Sequence, residues 1–130
     1  MDLERSNNLD KDIHTMLSEL KVKFETDRRI EILGFRVKYS EWFYFDGGYA
    51  YIRRGVENDV PVLIIAAIEA NEPGKGWLTE FLPKIEAAFQ GEIIFENVQN
   101  FRLEGFLAKN GYELVNENNR WARDWYKMTI

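Results

Sequence analysis

The chain has 130 residues, 45% of them hydrophobic and 30% charged, the balance of one ordinary folded domain spanning 1–130 rather than of a disordered segment. Its formal net charge is −5, which disfavours nucleic acid and anionic membrane as partners, because a phosphate surface rewards clustered positive charge. With no cysteine, disulfides, thiolate nucleophiles and zinc–thiolate sites are excluded, and an intracellular, cytoplasmic setting is expected.

Met1 to Asp12 is polar and carries no apolar signal-peptide core, and the longest apolar run, Val60 to Ile68, is too short to span a bilayer. From Leu9 the apolar residues Leu9, Ile13, Met16, Leu17, Leu20 and Phe24 mark one face of an amphipathic helix, with Asn7 and Asn8 as N-cap candidates. Thr26 to Tyr39 reads two ways. Ile30, Leu33 and Val37 fit a helix, Phe35, Val37 and Tyr39 a strand, and the expectation adopted is a second helix ending near Gly34.

Trp42 to Phe45, then Asp46-Gly47, then Tyr49 to Ile52 is a hairpin pattern, since Asp-Gly supplies the positive φ of a tight turn. The aromatic rings there either pack alternately on the core or line a groove for an acceptor. Val60 to Ile68 reads as a central strand buried on both faces. A loop, Asn71 to Gly76, precedes a helical pattern of Trp77, Leu78, Phe81, Leu82, Ile85 and Phe89, in which Pro83 removes one hydrogen bond. Glu92 to Phe95 is a short buried strand. Asn100 to Lys109 is a helix stopped by Asn110-Gly111, and Tyr112 to Val115 and Trp125 to Ile130 are closing strands.

Two passages carry a family resemblance. Gly74-Lys75-Gly76-Trp77-Leu78 with the helix after it resembles the loop-and-helix segment Arg/Gln-x-x-Gly-x-Gly/Ala of the GNAT (Gcn5-related N-acetyltransferase) superfamily. Asn100 to Tyr112 is similar to its Asn-x-x-Ala-x-x-x-Tyr-x-Lys-x-Gly-Phe segment, with Asn100, Lys109, Gly111 and Tyr112 at matching spacing. The loop motif begins at Asn71 or at Pro73. The Pro73 register is preferred because it buries Phe81, Leu82 and Ile85 rather than Thr79 and Glu80, at the expense of Leu78 at a small-residue position.

The resemblance covers roughly 60–130 and implies an α/β fold, a GNAT-like, mostly antiparallel sheet flanked by helices. It implies acyl transfer from acetyl-CoA, as co-substrate, to an amine of unidentified acceptor. The implied CoA contacts are Ala67, Ile68, Gly74, Lys75, Gly76, Trp77, Leu78 and Asn100, the last serving either the pantetheine arm or its own helix as a cap. Glu69 and Glu96 are general-base candidates, and the alternative for each is a strand-end carboxylate. Where the family often has a proton-donating Tyr, this chain has Leu107. Small degenerate members are also encoded in bacteriophage genomes, so a catalytically inactive binding or structural protein is the rival expectation. His14, the only histidine, has Ser18 one turn on without a third partner, and one histidine with no cysteine gives no metal set.

Overall fold

The structure, a computed structural model, describes residues 3–31, 39–115 and 123–130. Helix α1 spans Leu3–Glu31, and its stripe of Leu9, Ile13, Met16, Leu20 and Phe24 is buried. The helix starts before Asn7 and Asn8, which sit within it as exposed residues rather than as caps. It also runs unbroken through Thr26 to Glu31, so the expected second helix is, that far, a continuation of the first. No glycine or proline interrupts 3–31, and nothing in the backbone chemistry stops it sooner. The remainder of that expectation, 32–38, lies outside the described residues.

Strands β1 (Tyr39–Phe45) and β2 (Gly48–Glu57) pair antiparallel across the Asp46-Gly47 turn, in which Gly47 has φ 99°. Phe43, Phe45, Ala50 and Ile52 point to the core, and Trp42, Tyr44, Tyr49 and Tyr51 to the other face. The turn is anchored from two sides. Asp46 N–H donates to Asp12 Oδ2 (2.8 Å), and Trp77 Nε1 donates to the Asp46 carbonyl (2.9 Å). Gly48 is needed for close approach, because a Cβ there would come within 2.6 Å of the Trp77 ring. A second two-residue turn joins β2 to β3 (Val60–Ala70): Asn58 and Asp59 both take left-handed φ, 51° and 65°.

Helix α2 (Trp77–Ala88) buries Trp77, Phe81, Leu82 and Ile85. Pro83 lies on its exposed side and the helix passes through it. Strand β4 (Glu92–Phe95), helix α3 (Phe101–Lys109) and strands β5 (Glu113–Leu114) and β6 (Trp125–Met128) follow. The closing strands are shorter than expected; Tyr112 leaves the ladder and packs its ring edge-on to Phe95, with centroids 5.5 Å apart.

Among the described residues the sheet order is β1-β2-β3-β4-β6-β5, with β6 inserted beside β4 and only β3–β4 parallel. One cluster joins the buried side chains of all three helices to Ile52, Leu63, Ile65, Ile93 and Phe95 of the sheet. This is a mixed α/β architecture with a mostly antiparallel sheet, as the sequence led one to expect.

Candidate functional site

The site arises where β3 and β4 part. Their ladder holds from Val62↔Glu92 to Ile65↔Phe95, and a last link runs from Glu96 N–H to the Ile65 carbonyl at 3.0 Å. Beyond it, Asn97 adopts φ 53° and donates its N–H to Asp124 Oδ1 (2.8 Å), while Val98 N–H reaches the Arg123 carbonyl (2.8 Å). The chain after β4 is thereby drawn toward the C-terminal segment, while β3 continues to Ala70 with no partner on that edge among the described residues.

A bulge sits at the same point. Tyr51 opposes Ala67 and Ile52 opposes Ile65, which leaves Ala66 without a partner on β2. An extra residue flips the side-chain alternation. Leu63 and Ile65 face the core before it; after it Ile68 and Ala70 do so, and Ala67 and Glu69 turn to the opposite, exposed face. The strand is therefore not buried on both faces throughout, as its unbroken apolar run implied.

A cleft of about 660 Å³ opens at this end of β3, within the size range of small-molecule sites. Its wall comes from the end of β3, the loop 71–76, the first turn of α2 and one side of α3. Gly74 and Gly76 both have φ 80° with open space around their Cβ positions, so glycine serves conformation here rather than clearance. Gly76 is the N-cap of α2 and has no side chain with which to cap the first-turn amides. Such amides form an anion-binding end.

Of the residues singled out from sequence, Ile68, Glu69, Gly74, Gly76, Trp77, Leu78 and Asn100 line this cleft, and Ala67, Lys75 and Glu96 do not. Glu69 lies within β3 rather than after it, and accepts a hydrogen bond from Tyr49 Oη at 2.7 Å. That bond holds the Tyr49 hydroxyl above its ordinary pKa, so it stays a neutral donor. Glu96 follows β4 and forms an ion pair with Arg53. The Trp77 ring is buried and its indole N–H is committed to Asp46, which leaves its backbone for a ligand. Asn100 is a helix cap: its Oδ1 accepts from Arg102 N–H (2.9 Å) and Leu103 N–H (3.4 Å). Thr79 is exposed, and Phe81, Leu82 and Ile85 are buried, the pattern that a loop motif starting at Pro73 requires.

Leu107 is sealed in the core at 0% exposure, and it is Phe106 and Leu103, with Arg102, that face the cleft. Arg102 carried no signal in the sequence, whereas the spacing of Leu103 and Phe106 from Asn100 places them on one face of α3. Glu72 also lines the wall, so Glu69 and Glu72 stand against Arg102 alone. A polyphosphate there relies on backbone amides more than on side-chain charge. Among the described residues no cluster of three metal-ligating side chains occurs, and no helix is long and apolar enough to cross a membrane.

The same fold occurs in Naa50 of Arabidopsis thaliana, solved in complex with the bisubstrate analogue CoA-Ac-MVNAL. The likeness has a TM-score of 0.50, with 17% sequence identity, and covers 65% of this chain and 68% of that one. The fold is GNAT-like. No protein-family model matches the chain, and no curated protein matches it by sequence.

Proposed function

We propose that the protein is a GNAT-type N-acyltransferase that moves an acyl group from acetyl-CoA to an amine. The observation that carries this reading is the cleft formed where β3 and β4 diverge, opening onto the uncapped start of α2. In this reading the loop amides from Gly74 to Leu78 bind the pyrophosphate, with Lys75 adding charge from beside the wall. The acyl-pantetheine arm lies along Ile68, Leu103 and Phe106, where the free edge of β3 offers backbone hydrogen bonds. Asn100 shapes this wall by starting α3, since its side chain is already occupied as the cap.

Attack by the amine on the thioester carbonyl forms the C–N bond as the C–S bond breaks, and the amine sheds a proton. We assign the receiving base to Glu69 rather than Glu96: the residue belongs to the cleft wall and its carboxylate stands beside Tyr49 on the open face of β3, whereas Glu96 is outside the wall and engaged by Arg53. Tyr49 fixes the orientation of that carboxylate. Release of CoA thiol from acetyl-CoA across a panel of primary amines tests the assignment. Glu69→Gln is expected to lower turnover by about a hundredfold, the usual worth of a positioned base, with Glu96→Gln far milder. Equal effects of the two substitutions would refute it.

Binding without catalysis is the rival reading. It is favoured by Pro73 and Leu78, on the wall where the family has Arg/Gln and a small residue, and by Leu107 and Phe106, neither of which donates a proton to a departing thiolate.

A further inference from the structure

A second cavity, of about 310 Å³, lies at the other end of α2. Twelve helical residues, roughly 18 Å, separate it from the cleft described above, so it stands or falls independently of the acyltransferase reading. His14, Ser18 and Lys21 enter it from α1, Arg54 from β2, and Gln90 from the chain just after α2. The spacing of 14, 18 and 21 places those three on one face of the helix. The pairing of His14 with Ser18, which lacks the third partner of a nucleophilic triad, here becomes part of a wall of donors.

Arg54 is the unusual member. Its guanidinium carbon lies 5.8 Å from the ring centroids of both Phe24 and Phe89, so two aromatic faces hold it in place. Its Nε is buried without a hydrogen-bond partner, and no ion pair reaches the group among the described residues. Burial lowers its pKa, partly opposed by the Glu25 carboxylate, yet an arginine remains charged at neutral pH. No carboxylate is among the described residues that line the cavity. A partly desolvated, rigidly held cation facing an open space of this size is stabilised by an anion with oxygens to match its fork.

We propose that this cavity binds a small phosphate-bearing molecule, with Arg54 as its anchor and Lys21, Ser18, His14 and Gln90 as further donors. A phosphate fits this set better than a carboxylate does, because its three terminal oxygens engage donors from α1, β2 and the end of α2 together, where a carboxylate has two. The cations also complement the C-terminus of α2, which has no basic residue in its last turn. That role accounts for positive charge near the helix end, but not for an unpartnered Nε beside a cavity.

The only histidine of the chain lines this cavity, so its ring resonances report on the site without ambiguity. Inorganic phosphate, glycerol 3-phosphate and acetate are titrated into the protein at fixed pH and ionic strength. Saturable His14 shifts are expected with both phosphates and none with acetate. Glycerol 3-phosphate binding more tightly than inorganic phosphate marks an organic phosphate as the ligand, and the reverse order marks the free ion. Arg54→Met keeps a flexible apolar filler between Phe24 and Phe89, and is expected to weaken binding at least about tenfold. Lys21→Gln, on the exposed surface, weakens it less, and Glu25→Gln strengthens it. Non-saturating drift with all three anions, or a titration unchanged in Arg54→Met and Lys21→Gln, overturns the proposal. Equal binding of acetate overturns the assignment to phosphate.

Discussion

Adjacent residues on α3 make opposite predictions for the same chemical change. Leu107 is fully buried, whereas Phe106 is half-buried on the cleft wall. Leu107→Tyr forces a larger side chain into a sealed core, at about 1–3 kcal/mol for overpacking. It also buries a hydroxyl with no designed partner, at about 1–3 kcal/mol more. A total near 4 kcal/mol lowers Tm by roughly 10–20 °C in a chain of this length. Phe106→Tyr adds one oxygen to a ring that already reaches the cleft, and stability should change by less than about 1 kcal/mol. If acetyl-CoA occupies the cleft, that oxygen places a proton donor on the wall beside the thioester arm. A well-placed general acid is worth about a hundredfold or more; a transplanted one, without supporting hydrogen bonds, is expected to give about tenfold. Thermal scans of both variants and thiol-release assays read the two effects separately. The reasoning is refuted if Leu107→Tyr melts with the wild type, or if Phe106→Tyr is the more destabilised of the pair.

Gly48→Ala should lower stability by about 1–3 kcal/mol in a denaturant titration, because its Cβ meets the Trp77 ring that also pins the hairpin turn; an unchanged midpoint would show that the ring moves freely aside. Burial foremost, then the neighbouring Glu86 carboxylate, raises the Tyr112 pKa strongly. Folding is therefore favoured fully below the ordinary tyrosine value near pH 10, where both states keep the proton, and loses stability as pH rises above it, where only the unfolded chain releases the proton. Tyr112→Phe should flatten that alkaline decline, and an identical slope in the variant counts against it.

Local chemistry made most of the elements readable. The alternation of Phe43 and Phe45 with Trp42 and Tyr44, the Asp46-Gly47 turn, the helical spacing from Trp77 to Ile85 and the Asn110-Gly111 stop each act within a few residues. The β2–β3 turn is present in sequence too, as Asn58-Asp59, two residues that tolerate left-handed φ. The bulge at Ala66 was not readable. An uninterrupted apolar run has no alternation to be seen changing phase, so the outward turn of Ala67 and Glu69 emerges only from pairing with β2. The divergence after Ile65 depends on Asp124 and Arg123, which lie more than twenty residues further along the chain. On α3 the resemblance pointed to residue 107, while the rotation of the helix against the core gave the cleft to 103 and 106. In sequence Arg53-Arg54 is an ordinary basic pair, and only packing against Phe24 and Phe89 sets Arg54 apart.

Calorimetric titration of the wild-type protein with acetyl-CoA, beside adenosine alone, addresses the central claim most directly. Saturable one-to-one binding is predicted for acetyl-CoA and none for adenosine, because the loop amides and the divergent strands take the pyrophosphate and pantetheine rather than the base. The same ligand at about a hundred times its dissociation constant should stabilise the fold by ~2.7 kcal/mol. Absence of heat and of any melting shift at millimolar acetyl-CoA, with the protein folded, would contradict the account.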